Sequence, residues 1–150
     1  MEQIPFRIVG IYVNHFEISD SAFIQDKPVE VRTGYEFGVN FNSHSVISNI
    51  SYEYLQNNSL LLKMALDCVF DIKPDSFKTL INENGDFVLS TYFSQYLATI
   101  NVGAARGEIH ARCESMGSQL KNVILPPINL VEALPQPIVI HLDSIMDDKE

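Results

Sequence analysis

The chain has 150 residues, of which 46% are hydrophobic and 19% are charged, a composition that fits one compact domain with a buried core. Ten Lys and Arg against nineteen Asp and Glu give a formal net charge of −9, so most of the surface would repel nucleic acids and anionic membranes. The most apolar window, residues 60–72, contains charged residues and is shorter than the roughly 20 apolar residues that a membrane span needs. We therefore expect no nucleic-acid partner and no membrane insertion.

Alternating apolar and polar residues predict two β-strands near the start of the chain. In residues 6–18 one parity is apolar, as expected of a half-buried strand. Val9 and Ile11 lie on the other parity, which indicates that part of the second face is also covered. Residues 29–42 alternate along their whole length, which predicts one face in the core and one in solvent.

Two more strands are predicted at about residues 46–55 and 60–72. Between them Asn57 and Asn58 tolerate the backbone of a tight turn, and strands this close in sequence pair antiparallel. The segment 19–28, called the crossover loop below, is too long for a tight hairpin.

A helical pattern replaces the strand pattern after residue 86. Within residues 87–117 apolar residues recur at steps of three and four, which predicts one long amphipathic helix. Gly103 and Gly107 lie in its middle and indicate either a bend or a close approach by another element.

The remaining chain is predicted to be a proline-rich, acidic tail of the same single domain. Four prolines between residues 126 and 137 exclude a long helix and leave room for a helical turn around residues 130–134. Residues 138–140 predict a short extended piece, and residues 143–150 are acidic.

Motifs for phosphate, zinc or acyl-transfer chemistry are missing from the sequence. His110 and Cys113 are the one near pair of possible metal ligands, and two ligands do not make a site. Cys68 and Cys113 lie in apolar series and are interpreted as buried free thiols. No secretion signal precedes them, so we expect a cytoplasmic protein without metal, cofactor or catalytic residues, and not an enzyme.

Apolar residues exceed what one helix can cover. A single helix shields only part of one sheet face, and the tail adds further aliphatic residues. We expect this surface to be buried by oligomerisation or to form a peptide-binding groove. The sequence thus favours binding over catalysis.

Several local strings resemble the SecB family of export chaperones. Residues 6–12 are similar to the first strand of that family, and residues 23–31 to its crossover segment and second strand. Ala105 and Arg106 resemble part of its helix, and residues 125–134 its stretch of proline, apolar residues and asparagine. The likeness extends over roughly residues 6–134.

The resemblance implies an α+β fold in which a four-stranded antiparallel sheet packs on one long helix, assembled as a homotetrameric dimer of dimers. It implies an ATP-independent molecular chaperone that holds non-native polypeptides in apolar grooves and delivers them to the translocation motor SecA. Unfolded clients share no motif, so apolar contacts and backbone hydrogen bonds must bind them. By position the groove would be lined by Phe23, Ile24, Ile128, Leu130 and Leu134.

The chain departs from the family in three places. The family docks its motor through acidic residues on the exposed sheet face, and His15, Ser19 and Lys63 occupy those positions here. The aromatic residue before the crossover proline is replaced around Asp26, and prolines shorten the last helix of the family. The resemblance therefore supports the binding of clients more strongly than their delivery in protein transport.

Three hypotheses follow. The first is a SecB-like chaperone for unfolded protein binding, serving export or stabilising an antitoxin. The second is an oligomeric adaptor or scaffold of the same fold that binds one folded partner. A small enzyme is the third, and it would need a polar constellation in a pocket. For each of the five groove residues, a place in the core or in an oligomer interface is an equal alternative.

Overall fold

The computed structural model describes residues 4–141. In chain order its elements are the strands β1 (Phe6–Ile18), β2 (Glu30–Asn40), β3 (Ser45–Gln56) and β4 (Ser59–Ile72), the helix α1 (Pro74–Thr79), the strand β5 (Phe87–Leu89), the long helix α2 (Thr91–Ser115), the short helix α3 (Leu130–Ala133) and the strand β6 (Ile138–Ile140). Single 3₁₀ turns lie at Asp20–Ala22 and Gln119–Asn122.

The first four strands form one antiparallel sheet in the order β1-β4-β3-β2. The predicted α+β class, with a four-stranded antiparallel sheet and one long helix, is confirmed. Asn57 and Asn58 have φ values of 51° and 65° and join β3 to β4. This left-handed backbone suits asparagine and matches the twist of a hairpin, which explains the tight turn.

The strand β1 deviates from simple alternation. Its register against β4 shifts between Ile8 and Gly10 and again between Val13 and His15. Each bulge inserts a residue and moves the following side chains to the other face. Tyr12, predicted on the core parity, therefore lies on the outer face opposite Asp67 and is 55% exposed.

The helix α2 begins later than its sequence pattern indicated. Residues 87–89 form β5, and the Ser90 hydroxyl caps the helix by accepting a 3.1 Å hydrogen bond from the Phe93 amide. Six predicted members of the apolar stripe are buried: Phe93, Leu97, Val102, Ala105, Ile109 and Cys113. Of the two other predicted members, Ile100 is half-buried and Met116 is the exposed C-cap residue.

A polar network fixes α2 on the sheet. Asn101 is fully buried and accepts a 2.8 Å hydrogen bond from the Tyr52 hydroxyl. Its amide nitrogen donates to the carbonyl oxygens of Ser48 (2.8 Å) and Leu66 (3.1 Å). A buried amide with several partners has one favourable position, so the network sets the register of the helix over β3 and β4.

The tail follows its predictions. A helical turn forms at α3, and residues 138–140 form β6, which pairs antiparallel with β5 in a second, two-stranded sheet. The acidic residues 143–150 lie outside the described residues. No helix between residues 4 and 141 has the length and apolarity needed to cross a membrane.

Candidate functional site

The crossover loop is held on the sheet by one side chain. Gln56, the last residue of β3, is 5% exposed. Its Oε1 accepts a hydrogen bond from the Ile24 amide (2.8 Å), and its Nε2 donates to the carbonyl oxygens of Ile24 (2.9 Å) and Lys27 (3.1 Å). One buried amide thus satisfies three backbone groups in the irregular part of the loop, which follows the 3₁₀ turn at Asp20–Ala22.

A second contact ties the start of this loop to the end of α2. The Ser118 hydroxyl donates a 2.6 Å hydrogen bond to a carboxylate oxygen of Asp20. Between the loop and residues 117–123 lies an open cavity of about 450 Å³, with Phe23 and Val29 among its apolar lining residues. We call this space the crossover cavity.

The five predicted groove residues divide into two groups. Phe23 lines the crossover cavity and is half-buried, and its neighbour Ile24 is 43% exposed. These two residues sit together on the fixed loop. Their exposure leaves apolar surface accessible in the isolated chain.

The other three groove residues lie on the segment that follows α2. Ile128 is half-buried, whereas Leu130 and Leu134 are 8% and 6% exposed and belong to the hydrophobic core. The Leu134 carbonyl accepts a 2.8 Å hydrogen bond from Gln95 of α2. None of the three lines the crossover cavity, so the structure does not bring the two groups into one pocket.

The residues predicted for motor docking come together on the outer face of the sheet, the face opposite α2. His15 pairs with Ala65, and Lys63 pairs with Glu17 in the neighbouring cross-strand row. Ser19 follows directly, with its amide donating a 2.8 Å hydrogen bond to the Leu61 carbonyl.

Acidic side chains surround these positions. Register places Glu17, Lys63, Glu53 and Arg32 in one row across all four strands, with alternating charge. A parallel row consists of His15, Ala65, Ser51 and Gly34. Small side chains in three of its four positions make this part of the outer face flat.

Sequence reasoning missed an exposed apolar surface at the β1 edge of the sheet. Ile8, Val9 and Ile11 are between 44% and 48% exposed, although the alternation placed Ile8 in the core and Val9 and Ile11 on a face expected to be partly covered. Tyr96 of α2 is 48% exposed, and its ring lies 5.7 Å from that of Phe6 on β1. The run of apolar residues on both parities was the signal, and nothing in the described chain covers them.

This surface continues along α2. Gly103 and Gly107 are exposed, and a Cβ atom built on either would meet no other atom within 4 Å. The close approach that these glycines suggested is therefore not made within residues 4–141. We call the β1 edge and the exposed side of α2, with Ile8, Val9, Ile11, Tyr92, Tyr96, Gly103 and Gly107, the β1/α2 surface.

The buried thiols and phenols are shifted away from reactivity. Burial, with a smaller contribution from Asp67, raises the pKa of the Cys68 thiol to about 11. Burial also raises the pKa of Cys113, and that of the phenols of Tyr52 and Tyr54. A thiol protonated at neutral pH is a poor nucleophile.

His110 and Cys113, the near pair of possible metal ligands, differ in exposure, since Cys113 is buried and His110 is on the surface. Residues 4–141 hold no cluster of three or more histidine, cysteine or acidic side chains with metal-site geometry. His110 instead lies 3.2 Å from Glu114 and 3.0 Å from the Lys121 carbonyl, both on the surface.

When compared with protein-family models and with curated protein sequences, the chain matches none of them.

Proposed function

We propose that the chain is an ATP-independent holdase that binds non-native polypeptides through apolar surface centred on the crossover loop. The observation that carries this proposal is the anchored loop itself. Gln56 holds the loop backbone in place while Ile24 remains 43% exposed and Phe23 borders a cavity of about 450 Å³. A rigid loop presents apolar side chains without the entropic cost of ordering them on binding.

The groove proposed from the resemblance to SecB is larger than this cavity. Leu130 and Leu134 are core residues of the single chain, so their part in binding requires the segment after α2 to move away from the helix. Phe23 and Ile24 need no such movement. We therefore assign first contact with a client to the crossover loop.

Assembly into a homo-oligomer is part of the same proposal. The β1/α2 surface combines an unpaired strand edge with exposed aliphatic and aromatic side chains. Such an edge promotes pairing with another chain, and two copies joined there would extend the binding surface. A dimer of dimers, as the SecB resemblance implies, would use this surface.

Delivery to a motor such as SecA would use the outer face of the sheet. His15, Ser19 and Lys63 are not acidic, but Glu17 and Glu53 occupy the row of Lys63. A basic partner would thus still meet carboxylates on this face. An unfolded antitoxin is a non-native chain like an export client, so the same holdase would stabilise either of them.

The test is calorimetric titration of the chain with a slow-folding polypeptide, first kept unfolded and then in its native state. We expect binding to the unfolded form alone. Ile24→Asp should weaken that binding by about tenfold or more, because a desolvated charge costs at least the 1.4 kcal/mol that a tenfold change represents.

Val139→Asp is the matched control, since Val139 is 48% exposed but lies on β6 instead of the crossover loop. It should bind the unfolded polypeptide like the unchanged chain. Failure of the unchanged chain to bind any unfolded polypeptide would refute the proposal.

A second candidate function is an adaptor that binds one folded partner. The row of His15, Ala65, Ser51 and Gly34 on the outer face favours it, because its three small residues leave room for the side chains of a folded partner, and stable interfaces need close shape complementarity. Ser51→Trp would obstruct that face and abolish such docking. Binding of unfolded polypeptides would be unchanged by the same substitution.

A further inference from the structure

The short strand β5 lies between two neighbours. On one side Phe87 bridges to Ile81, and the Val88 amide donates a 2.8 Å hydrogen bond to the Leu80 carbonyl. The side chains of Phe87 and Leu89 are fully buried, so β5 is a rigid part of the core. One edge of β5 is thus permanently closed by the chain that precedes it.

The other edge of β5 is occupied by β6. Ile140 pairs with Phe87, Val139 with Val88, and Ile138 with Leu89. Ile138 and Ile140 are half-buried against the core, whereas Val139 points outward and is 48% exposed. The strand β6 thus contacts the core through the side chains of one face only.

Beyond this ladder of three residue pairs, β6 is held by contact with β2 and by the half-buried side chains of Ile138 and Ile140. Prolines at 135 and 137 precede it and keep the chain extended without donating amide hydrogen bonds. After it, the His141 ring nitrogen lies 3.0 Å from a carboxylate oxygen of Asp86, and His141 is exposed. Ladders this short are marginal on their own.

We propose that the edge of β5 now occupied by β6 is a strand-addition site for an extended peptide with branched aliphatic side chains two residues apart, and that β6 is its resident occupant. The backbone of β5 would supply sequence-independent hydrogen bonds. The two positions that now hold Ile138 and Ile140 would select the side chains. A peptide in trans would take the place of β6.

Tethering explains why the resident segment stays in place. A segment joined by a short linker competes at an effective concentration in the millimolar range. A partner peptide at micromolar concentration therefore binds only when β6 is weakened. This site uses other residues than the crossover loop, so it stands or fails independently of the proposed holdase function.

The test compares two full-length variants with the same change of charge. Ile140→Asp places a carboxylate against the core and should release β6, whereas Val139→Asp places it in solvent and should not. The probe is a fluorescent peptide with the sequence of residues 136–141, followed by anisotropy. We expect the peptide to bind Ile140→Asp at least about tenfold more tightly than it binds Val139→Asp or the unchanged chain.

The proposal is overturned if Ile140→Asp keeps the circular dichroism spectrum of the unchanged chain and binds no peptide up to about 1 mM, the range of the tethered segment. Dimers of the unchanged chain that exchange residues 138–140 and resist the peptide would also overturn it, by identifying a second copy as the occupant.

Hydrogen exchange of the unchanged chain gives a second measurement should Ile140→Asp unfold. The peptide at about 1–10 mM, at or above the effective concentration of the tethered segment, should speed exchange of the amides of β6 while those of β5 stay protected. Equal exchange of β6 with and without the peptide would contradict the proposal.

Discussion

Replacement of Gln56 by alanine tests how the crossover loop is held. The substitution removes one acceptor and two donated hydrogen bonds that fix the backbone at Ile24 and Lys27. At about 0.5–1.5 kcal/mol for each hydrogen bond, the loss lies between roughly 1.5 and 4.5 kcal/mol. Because Ile24 is exposed and water can replace the lost partners, we expect a value near the lower end, about 2 kcal/mol.

Two measurements report this loss separately. Urea titration gives the change in the free energy of unfolding, and hydrogen exchange of the Ile24 amide reports the loop alone. We expect the amide of Ile24 to exchange at the rate of an open loop, while the amides of β3 and β4 keep their protection. Binding of unfolded polypeptide should weaken as well, since the loop must then be ordered on binding.

Gln56→Glu is the informative companion variant. A glutamate can still accept the hydrogen bond of the Ile24 amide but cannot donate to the carbonyl oxygens of Ile24 and Lys27. Gln56→Glu should therefore also destabilise the loop, because two backbone carbonyl groups would then face a carboxylate. A cost below about 0.5 kcal/mol for Gln56→Ala, with unchanged exchange at Ile24, would refute the role that we assign to this side chain.

Three further predictions concern the core, the alkaline stability and the β1/α2 surface. Asn101→Ala should lower the free energy of unfolding by about 3 kcal/mol and Tyr52→Phe by about 1.5 kcal/mol; equal costs in urea titrations would argue against the network. Burial raises the pKa of Cys68 from 9.0 to about 11, so between these pH values the unfolded chain loses a proton that the folded chain keeps, and stability falls as pH rises, by up to about 2–3 kcal/mol. Cys68→Ala should make this decline shallower in urea titrations from pH 8 to 11 without abolishing it, since the raised pKa values of Cys113, Tyr52 and Tyr54 act in the same direction; an unchanged decline would assign it to those groups. Ile11→Asp or Tyr96→Asp should reduce the sedimentation coefficient to that of a 16.9 kDa monomer; a coefficient equal to that of the unchanged chain would place any assembly elsewhere.

The sequence was most informative where one face of a strand is buried and the other is wet. In β2 apolar residues alternate with polar residues or glycine, and in β4 every second residue from Leu62 to Ile72 is apolar, so the bounds of both strands could be read to within two residues. The inward face of β4 was wrong only at its start, where the register shifts beside Leu55 and Leu61 is buried instead of Leu60. The turn at Asn57 and Asn58 was equally clear, because few other residues adopt its backbone without strain.

The strand β1 shows where the alternation fails. Its two bulges change which side chains face α2, and a bulge leaves no fixed mark in composition. The alternation that predicted the bounds of β1 correctly also placed Tyr12 on the wrong face. Periodicity therefore locates a strand more securely than it orients one.

The candidate site was the least predictable part. Phe23 and Ile24 lie on a loop fixed by Gln56. Gln56 is distant from this loop in sequence, and nothing in the sequence around it singles it out. The burial of Leu130 and Leu134 depends on how the tail folds back on α2. Contacts of this kind depend on tertiary packing, which a local pattern does not encode.

The order of strands in the sheet also has a consequence for synthesis on the ribosome. Within the described part of the chain the strand β1 pairs with β4 alone, although β2 and β3 come between them in sequence. At about 5–20 residues per second, β1 waits several seconds after its own synthesis before its partner is made. During that time its run of Ile8, Val9 and Ile11 is available to any other strand, so factors that shield nascent chains would act on this segment first.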